Sequence, residues 1–148
     1  SEVMRYGAEI VFEKTFRKWD IEVGGAYVNG LVLDEGTALP WTSPFNASTE
    51  IKRSWSFKNN EHSLFMAPRL EAFAKQNQVF RNEDPTPGYQ LLNFSIGYVI
   101  SKGANSIEMI AFATNLMNRT YIDHMSRYKI LNLPEVGRNV GITINYKF

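Results

Sequence analysis

The residues best suited to chemistry lie in one short segment near the end of the chain. Asp123, His124, Met125 and Arg127 bring a carboxylate, an imidazole, a thioether and a guanidinium within five positions. Such a group could contact an iron or copper complex, so these four are candidate ligand-binding residues. A resident metal site is not predicted, because the chain has no cysteine and its other histidine, His62, lies far away in sequence.

Catalytic and nucleic-acid functions find little support in the sequence. No Ser-His-Asp order and no glycine-rich phosphate loop stands out, so we predict no catalytic residues, no cofactor and no enzyme activity. The 148 residues include 16 Lys plus Arg and 15 Asp plus Glu, a net charge of +1, which gives no basic footprint for a nucleic-acid partner. No apolar run approaches the ~20 residues of a membrane-spanning helix. Membrane strands are shorter and alternate in polarity, so the lack of a long apolar run does not argue against a transmembrane β-barrel.

The last segment of the chain shows the repeat that decides the fold class. Val140, Ile142, Ile144, Tyr146 and Phe148 are apolar and occupy alternate positions, with small or polar residues between them. Alternation with a period of two is typical of a β-strand with one apolar and one polar face. The same pattern recurs along the chain, and Pro68 inside one segment predicts a bulge or local break. The sequence therefore predicts an all-β, antiparallel up-and-down meander of about seven long strands, over 4–13, 18–33, 46–57, 62–77, 89–101, 105–115 and 137–148.

The predicted connections alternate in length. Short ones over 15–17, 58–61 and 102–104 are interleaved with long ones over 34–45, 78–88 and 116–136. A meander places alternate connections on the same side, and outer-membrane barrels combine short periplasmic turns with long extracellular loops. Strands of ~9–11 residues also suit a membrane better than the ~5–6 of typical soluble strands. Because bacterial single-chain barrels have even strand numbers, we expect at least one strand upstream of this chain.

In a barrel, the two strand faces would meet different surroundings. The apolar set would face lipid, and aromatic residues near strand ends would form interfacial girdles or pack in a core. Arg53 shares the face of Ile51 and Trp55, so we predict that it lies near an interface or at a register shift. The predicted girdle residues are Trp19, Trp41, Phe57, Tyr89, Tyr98 and Tyr146. The residues predicted to line the lumen are Glu9, Asp20, Glu22, Glu50, Lys52, Arg69, Glu71 and Lys147.

The tail of the sequence resembles the ending of TonB-dependent outer-membrane receptors, especially those of Bacteroidetes. The residues that carry the resemblance are Asn-Leu-Met-Asn at 115–118, Tyr-Ile-Asp-His-Met-Ser-Arg at 121–127 and Pro-Glu-Val-Gly-Arg-Asn at 134–139. Further stretches at 39–40, 74–77 and 85–89 are also similar to the family. The resemblance covers most of 39–148, and 1–38 fit by pattern only.

The resemblance implies that residues 1–148 form the C-terminal part of a 22-stranded, plugged barrel in the bacterial cell outer membrane. Such receptors import nutrients such as iron-siderophore, haem or copper complexes. The implied partners are the lipid bilayer, the protein's own plug domain and upstream strands, the TonB complex through an N-terminal part absent here, and the small-molecule or metal-complex substrate. Residues 1–148 would have no transport activity alone. Ile144, Tyr146 and Phe148 resemble the C-terminal signal read by the outer-membrane assembly machinery.

Two other architectures and two roles for His124 stay open at this point. The chain could be a complete small eight-stranded outer-membrane barrel, which requires one further strand and a closed sheet. It could be a soluble β-sandwich binding module, in which the alternation marks half-buried strands. His124 could contact the substrate, or it could hold its loop in place.

Overall fold

A computed structural model describes residues 2–148 as an antiparallel sheet of eight strands. Strands that follow one another in sequence also pair with one another, in the order β1-β2-β4-β5-β6-β7-β8, with the short β3 paired to β2. The predicted all-β antiparallel meander of seven long strands is confirmed. The bounds are β1 Val3–Phe16, β2 Trp19–Val32, β3 Thr37–Ala38, β4 Asn46–Phe57, β5 His62–Phe73, β6 Tyr89–Lys102, β7 Asn105–Thr114 and β8 Asn139–Lys147, with a 3₁₀ helix over Arg127–Leu131 between β7 and β8.

The predicted bounds differ most at the end of β5. The alternation suggested a strand over 62–77, but the strand ends at Phe73. Beyond it, Gln76 pairs with Thr86 in an isolated bridge, because the chain has turned away from the sheet into a loop. The two-residue β3 was not predicted, since two residues show no period.

Pro68 interrupts pairing without changing the register. Pairs between β4 and β5 stop at Glu50 opposite Arg69 and resume at Arg53 opposite Met66. Since the numbers of each pair have the same sum on both sides of the gap, no extra residue is inserted. Of the two predicted alternatives, the structure therefore shows the local break and not the bulge. A proline has no N–H to donate to a neighbouring strand, which accounts for the gap.

The sheet is a single layer with two unlike faces. The face that carries Ile21, Ile51 and Ile142 is called the apolar face here, and the face that carries Glu22 and Arg69 is called the polar face. Large apolar residues on the apolar face are exposed, and Ile142 keeps 75% of its surface accessible. The buried apolar residues number only four in the part of the chain described: Val32, Ala38, Ala67 and Tyr89.

The strand carboxylates all lie on the polar face. A row of directly opposed residues crosses the sheet there, with Glu22 opposite Glu50 and Glu50 opposite Arg69. The guanidinium of Arg69 lies 3.3 Å from Glu22, 3.8 Å from Glu50 and 3.4 Å from Glu71. Opposed carboxylates repel, and the arginine offsets that repulsion. The strand carboxylates are Glu9, Glu13, Asp20, Glu22, Glu50, Glu71 and Glu108.

The sheet is open, and its outer strands are β1 and β8. Because seven long strands alternate in direction, β1 and β8 run the same way and could not close the sheet by antiparallel pairing. The turns over 17–18, 58–61 and 103–104 lie at one end of the sheet, and the three long connections lie at the other, as predicted. Across residues 2–148, no helix is long and apolar enough to cross a membrane.

Candidate functional site

The three long connections meet at their end of the sheet through a group of polar side chains. Trp41 comes from the first connection, Glu83 and Thr86 from the second, and His124 and Lys129 from the third. These five residues are called the loop cluster. Thr86, His124 and Lys129 are buried, and the side chains of Lys129 and Glu83 are only 5% and 8% exposed.

Glu83 is the centre of the loop cluster. Its Oε1 accepts a hydrogen bond from Lys129 Nζ at 2.6 Å and from the backbone N–H of Trp41 at 3.1 Å. Its Oε2 accepts from the backbone N–H of Phe80 at 3.2 Å. Burial acts to raise the pKa of Glu83, but the bonds from Lys129, Phe80 and Trp41 outweigh it and lower the pKa below its ordinary value. The carboxylate therefore stays charged and joins three loops.

His124 lies next to this ion pair and is only 1% exposed. Its Nε2 lies 3.2 Å from Glu83 Oε1 and 3.4 Å from Lys129 Nζ, and its Nδ1 lies 3.0 Å from Thr86 Oγ1. Burial and the charge of Lys129 lower the pKa of His124, against the opposite effects of Glu83 and Asp123. A neutral ring satisfies this geometry by donating from Nε2 to Glu83 and accepting from the Thr86 hydroxyl.

Local structure brings each member of the cluster into place. The Ser126 side chain accepts a hydrogen bond from the Tyr128 backbone N–H and caps the 3₁₀ helix that carries Lys129. Trp41 has a left-handed backbone, φ 55°, a conformation that is unusual for a bulky residue. Its N–H is held by Glu83, and its ring lies 4.4 Å from Lys129 Nζ in a cation–π contact.

The second connection is fixed by a further polar contact. The backbones of Gln76 and Thr86 exchange two hydrogen bonds of 3.0 and 3.1 Å. The Gln76 side chain donates to the carbonyl of Thr42 at 2.9 Å, which ties the second connection to the first. The side chain of Thr86 is thereby held facing His124.

The four candidate ligand-binding residues do not form one site. Only His124 enters the loop cluster. Asp123 Oδ1 accepts a hydrogen bond from the backbone N–H of Met125 at 2.9 Å, and Met125 and Arg127 are exposed. Of the two roles left open for His124, the contacts favour the one that holds the loops together. A ligand-binding role for the four stays a prediction.

The two histidines lie at opposite ends of the sheet. His62 Nδ1 lies 2.7 Å from the hydroxyl of Tyr98, and its ring stacks on Phe57 next to the turn at 58–61. Within residues 2–148, no group of three or more His, Cys, Asp or Glu side chains is placed to hold a metal ion.

A recess opens beside the loop cluster. Its volume is about 250 Å³, enough for a small organic group. Aromatic rings, two carboxylates, an amide and an ammonium group line it, so it could hold a ligand with both apolar and polar parts. The lining residues are Pro40, Trp41, Phe80, Asn82, Glu83, Asp84, Lys129 and Ile130.

Sequence reasoning missed most of the cluster. Glu83, Thr86 and Lys129 were not singled out, because isolated polar residues in long connections carry no periodic signal. Trp41 was predicted as a girdle residue, but it lies in the cluster. Tyr89, also a predicted girdle residue, is buried on the polar face between Phe73 and Tyr121. Trp19, Phe57, Tyr98 and Tyr146 lie on the apolar face near the short turns.

The predicted assembly signal lies on the edge strand. Ile144 and Tyr146 occupy the apolar face of β8, and Phe148 follows with 91% of its surface exposed. Alternate exposed side chains next to an unpaired edge are available to a partner that adds a strand. Recognition by an assembly machinery stays a prediction.

No protein-family model matches the chain, and no curated protein matches it in sequence. Its antiparallel sheet of long strands is also found in the solved structure of a transporter. That structure is described as "Copper transporter OprC"; it matches with a TM-score of 0.78 over 99% of this chain, at 19% sequence identity. The chain spans 24% of the length of that protein. At this identity the likeness shows the fold alone.

Proposed function

We propose that the chain is the C-terminal wall segment of a TonB-dependent receptor that imports a nutrient across the bacterial outer membrane. The observation that carries this proposal is the single-layer sheet, whose exposed apolar face is opposed to a face with all the strand carboxylates. Water on both sides would leave the apolar face unprotected, whereas a bilayer on one side and a wet lumen on the other suits both faces.

The open sheet supports a role as part of a larger barrel. β1 and β8 each offer an unpaired edge, and parallel closure is not the pairing of an up-and-down barrel. We propose that upstream strands complete a barrel of 22 strands around a plug that contacts the polar face. TonB would engage the protein through its N-terminal part, and the assembly machinery would read Ile144, Tyr146 and Phe148.

The alternatives fit the structure less well. A complete eight-stranded barrel needs an eighth long strand, but the eighth strand within residues 2–148 is the two-residue β3. A soluble β-sandwich needs a second layer over the apolar face, and the described residues form one layer.

The cargo is proposed at the level of class. Copper complexes are the first to test, because one solved structure with this fold is described as a copper transporter. Iron-siderophore and haem complexes are the other candidates. The loop cluster would then hold the long loops in the arrangement that meets the cargo, on the extracellular side.

Membrane extraction tests the proposal. The intact protein that carries this chain, expressed from its own gene, should sediment with outer membranes, resist a urea wash and need detergent for release. A folded barrel should also migrate faster on a denaturing gel before boiling than after it. Release by urea without detergent would overturn the proposal.

Uptake assays test the cargo. Cells with the gene deleted should take up less of one complex, and the loss should be restored by the wild-type gene. Unchanged uptake of copper, iron-siderophore and haem complexes alike would reject all three candidate cargoes.

A further inference from the structure

The charged side chains of the apolar face share one sign and one location. Lys14, Arg53 and Lys102 are cationic, and no Asp or Glu lies on this face in the seven long strands described. Lys14 lies three residues before the turn at 17–18, and Lys102 is the last residue of β6. The cations therefore form a band beside the short turns.

Arg53 is held by two aromatic rings. It lies opposite Trp19, at the turn end of β2. No register shift occurs there, so of the two predicted explanations for Arg53 the one that fits is a position near the membrane interface. Its guanidinium carbon is 4.6 Å from the ring centre of Trp19 and 5.0 Å from that of Trp55. Two indole rings thus hold the cation at the apolar surface.

The guanidinium nevertheless lacks an acceptor. Arg53 Nε is buried and has no hydrogen-bond partner, and no carboxylate of the described chain forms an ion pair with Arg53. An unmet buried donor is costly, more so when it is charged. Nε is enclosed, but the two terminal nitrogens of the guanidinium are not buried and have no partner in the described chain, so an anion from outside can reach them.

The surroundings determine what kind of anion fits. The neighbours of Arg53 on the apolar face include Ile51 and Met66, which suit acyl chains better than water. Tryptophan is typical of the headgroup level of a bilayer, and guanidinium binds phosphate through paired N–H groups. We propose that Arg53, held between Trp19 and Trp55, binds the phosphate of an anionic phospholipid in the leaflet next to the short turns. This proposal rests on the proposed membrane location.

Lipid binding by variants of the intact protein tests the proposal. The detergent-purified protein would be titrated with phosphatidylglycerol, and bound lipid counted by native mass spectrometry. Phosphatidylcholine with the same acyl chains is the lipid control. Arg53→Gln removes the cation from the apolar face, and Lys52→Gln removes one from the adjacent position on the polar face. R53Q should weaken phosphatidylglycerol binding about fivefold, and K52Q should leave it unchanged.

Each outcome decides the proposal. Equal loss in R53Q and K52Q would overturn it, because the effect would then follow net charge rather than the site. If R53Q does not fold, the wild-type protein is compared with Arg53→Lys. A wild-type preference for phosphatidylglycerol that Arg53→Lys reduces supports the site, and no wild-type preference overturns it. A protein that needs no detergent would instead reject the membrane location itself.

Discussion

The sheet of long strands, called the wall here, and the loop cluster place their polar and apolar side chains in opposite ways. On the wall, large apolar side chains such as Ile10 and Ile142 are exposed, and charges stand on the other face. In the loop cluster, His124 and Lys129 are buried among other polar groups. Exposed apolar residues are favourable next to an apolar solvent such as the proposed bilayer, whereas buried charges are tolerated only when they are paired.

The difference shows how each region is stabilised. The wall relies on backbone hydrogen bonds between long strands, which any regular strand can make. The cluster relies on a few specific side-chain contacts between distant parts of the chain, centred on Glu83. A single substitution should therefore disturb the loops if it removes a contact of the cluster. It should disturb the wall if it makes a face unsuited to its surroundings.

The largest effect is expected from removing the centre of the cluster. Glu83→Ala would leave Lys129 buried without its partner and free the backbone N–H of Trp41. Breaking a buried ion pair costs about 3–5 kcal/mol, which should appear as faster hydrogen exchange in all three long connections. Asp84→Ala is the matched control, because Asp84 is exposed beside Glu83. Exchange confined to one connection would contradict a shared centre.

The next effect should distinguish the faces of the wall. Ile142→Lys would place a cation in the middle of the apolar face of β8, and in the proposed membrane barrel it should cost about 2–4 kcal/mol of stability. Thr143→Lys, one position along on the polar face, should have little effect. Urea unfolding in lipid vesicles measures both. Equal losses would mean that the faces do not meet different solvents.

A smaller effect is expected from pH. The pKa of His124 is lowered in the folded loops below its ordinary value of 6.5. As the pH falls, His124 therefore takes up a proton in the unfolded loops before it does so in the folded loops. Loop stability should be full above pH 6.5 and fall as the pH drops below it. Hydrogen exchange of the long connections, followed from pH 8 to about pH 5, measures this. His124→Asn should remove the dependence and His62→Asn, at the other end of the sheet, should not; a dependence that survives in H124N would point to another group.

The smallest effect concerns the polar row of the wall. Arg69→Gln would leave Glu22, Glu50 and Glu71 without their shared cation. These groups are partly exposed, so the loss should be about 1 kcal/mol or less and shrink in high salt. Thermal unfolding at two salt concentrations tests this, with Lys147→Gln as the control. A loss that salt does not change would mean a packing role instead.

The fold was largely predictable because it follows from local alternation. Each of the seven long strands shows a period of two, and connection length already separated the two ends of the sheet. The end of β5 was misjudged because Ala74 and Lys75 continue the alternation past Phe73, although Gln76 bonds to Thr86 and to the carbonyl of Thr42. Pairing with a distant loop leaves no mark on local pattern.

The loop cluster was hardly predictable. Trp41 and Glu83 are 42 positions apart, and Glu83 and Lys129 are 46 apart. His124 was singled out for its chemistry, but its neighbours could not be named from the sequence. Its contacts with Glu83 and Thr86 exist only because the meander brings alternate connections to the same end.

The sequence by itself determined the strands, their two faces and the sides on which the connections lie, since each depends on residue type and spacing within a segment. Only the tertiary structure decided that Glu83 joins three loops, that His124 is buried and that Arg53 lies between two tryptophans. Such contacts depend on the register between strands and the paths of long loops, which bring together residues that are far apart along the chain.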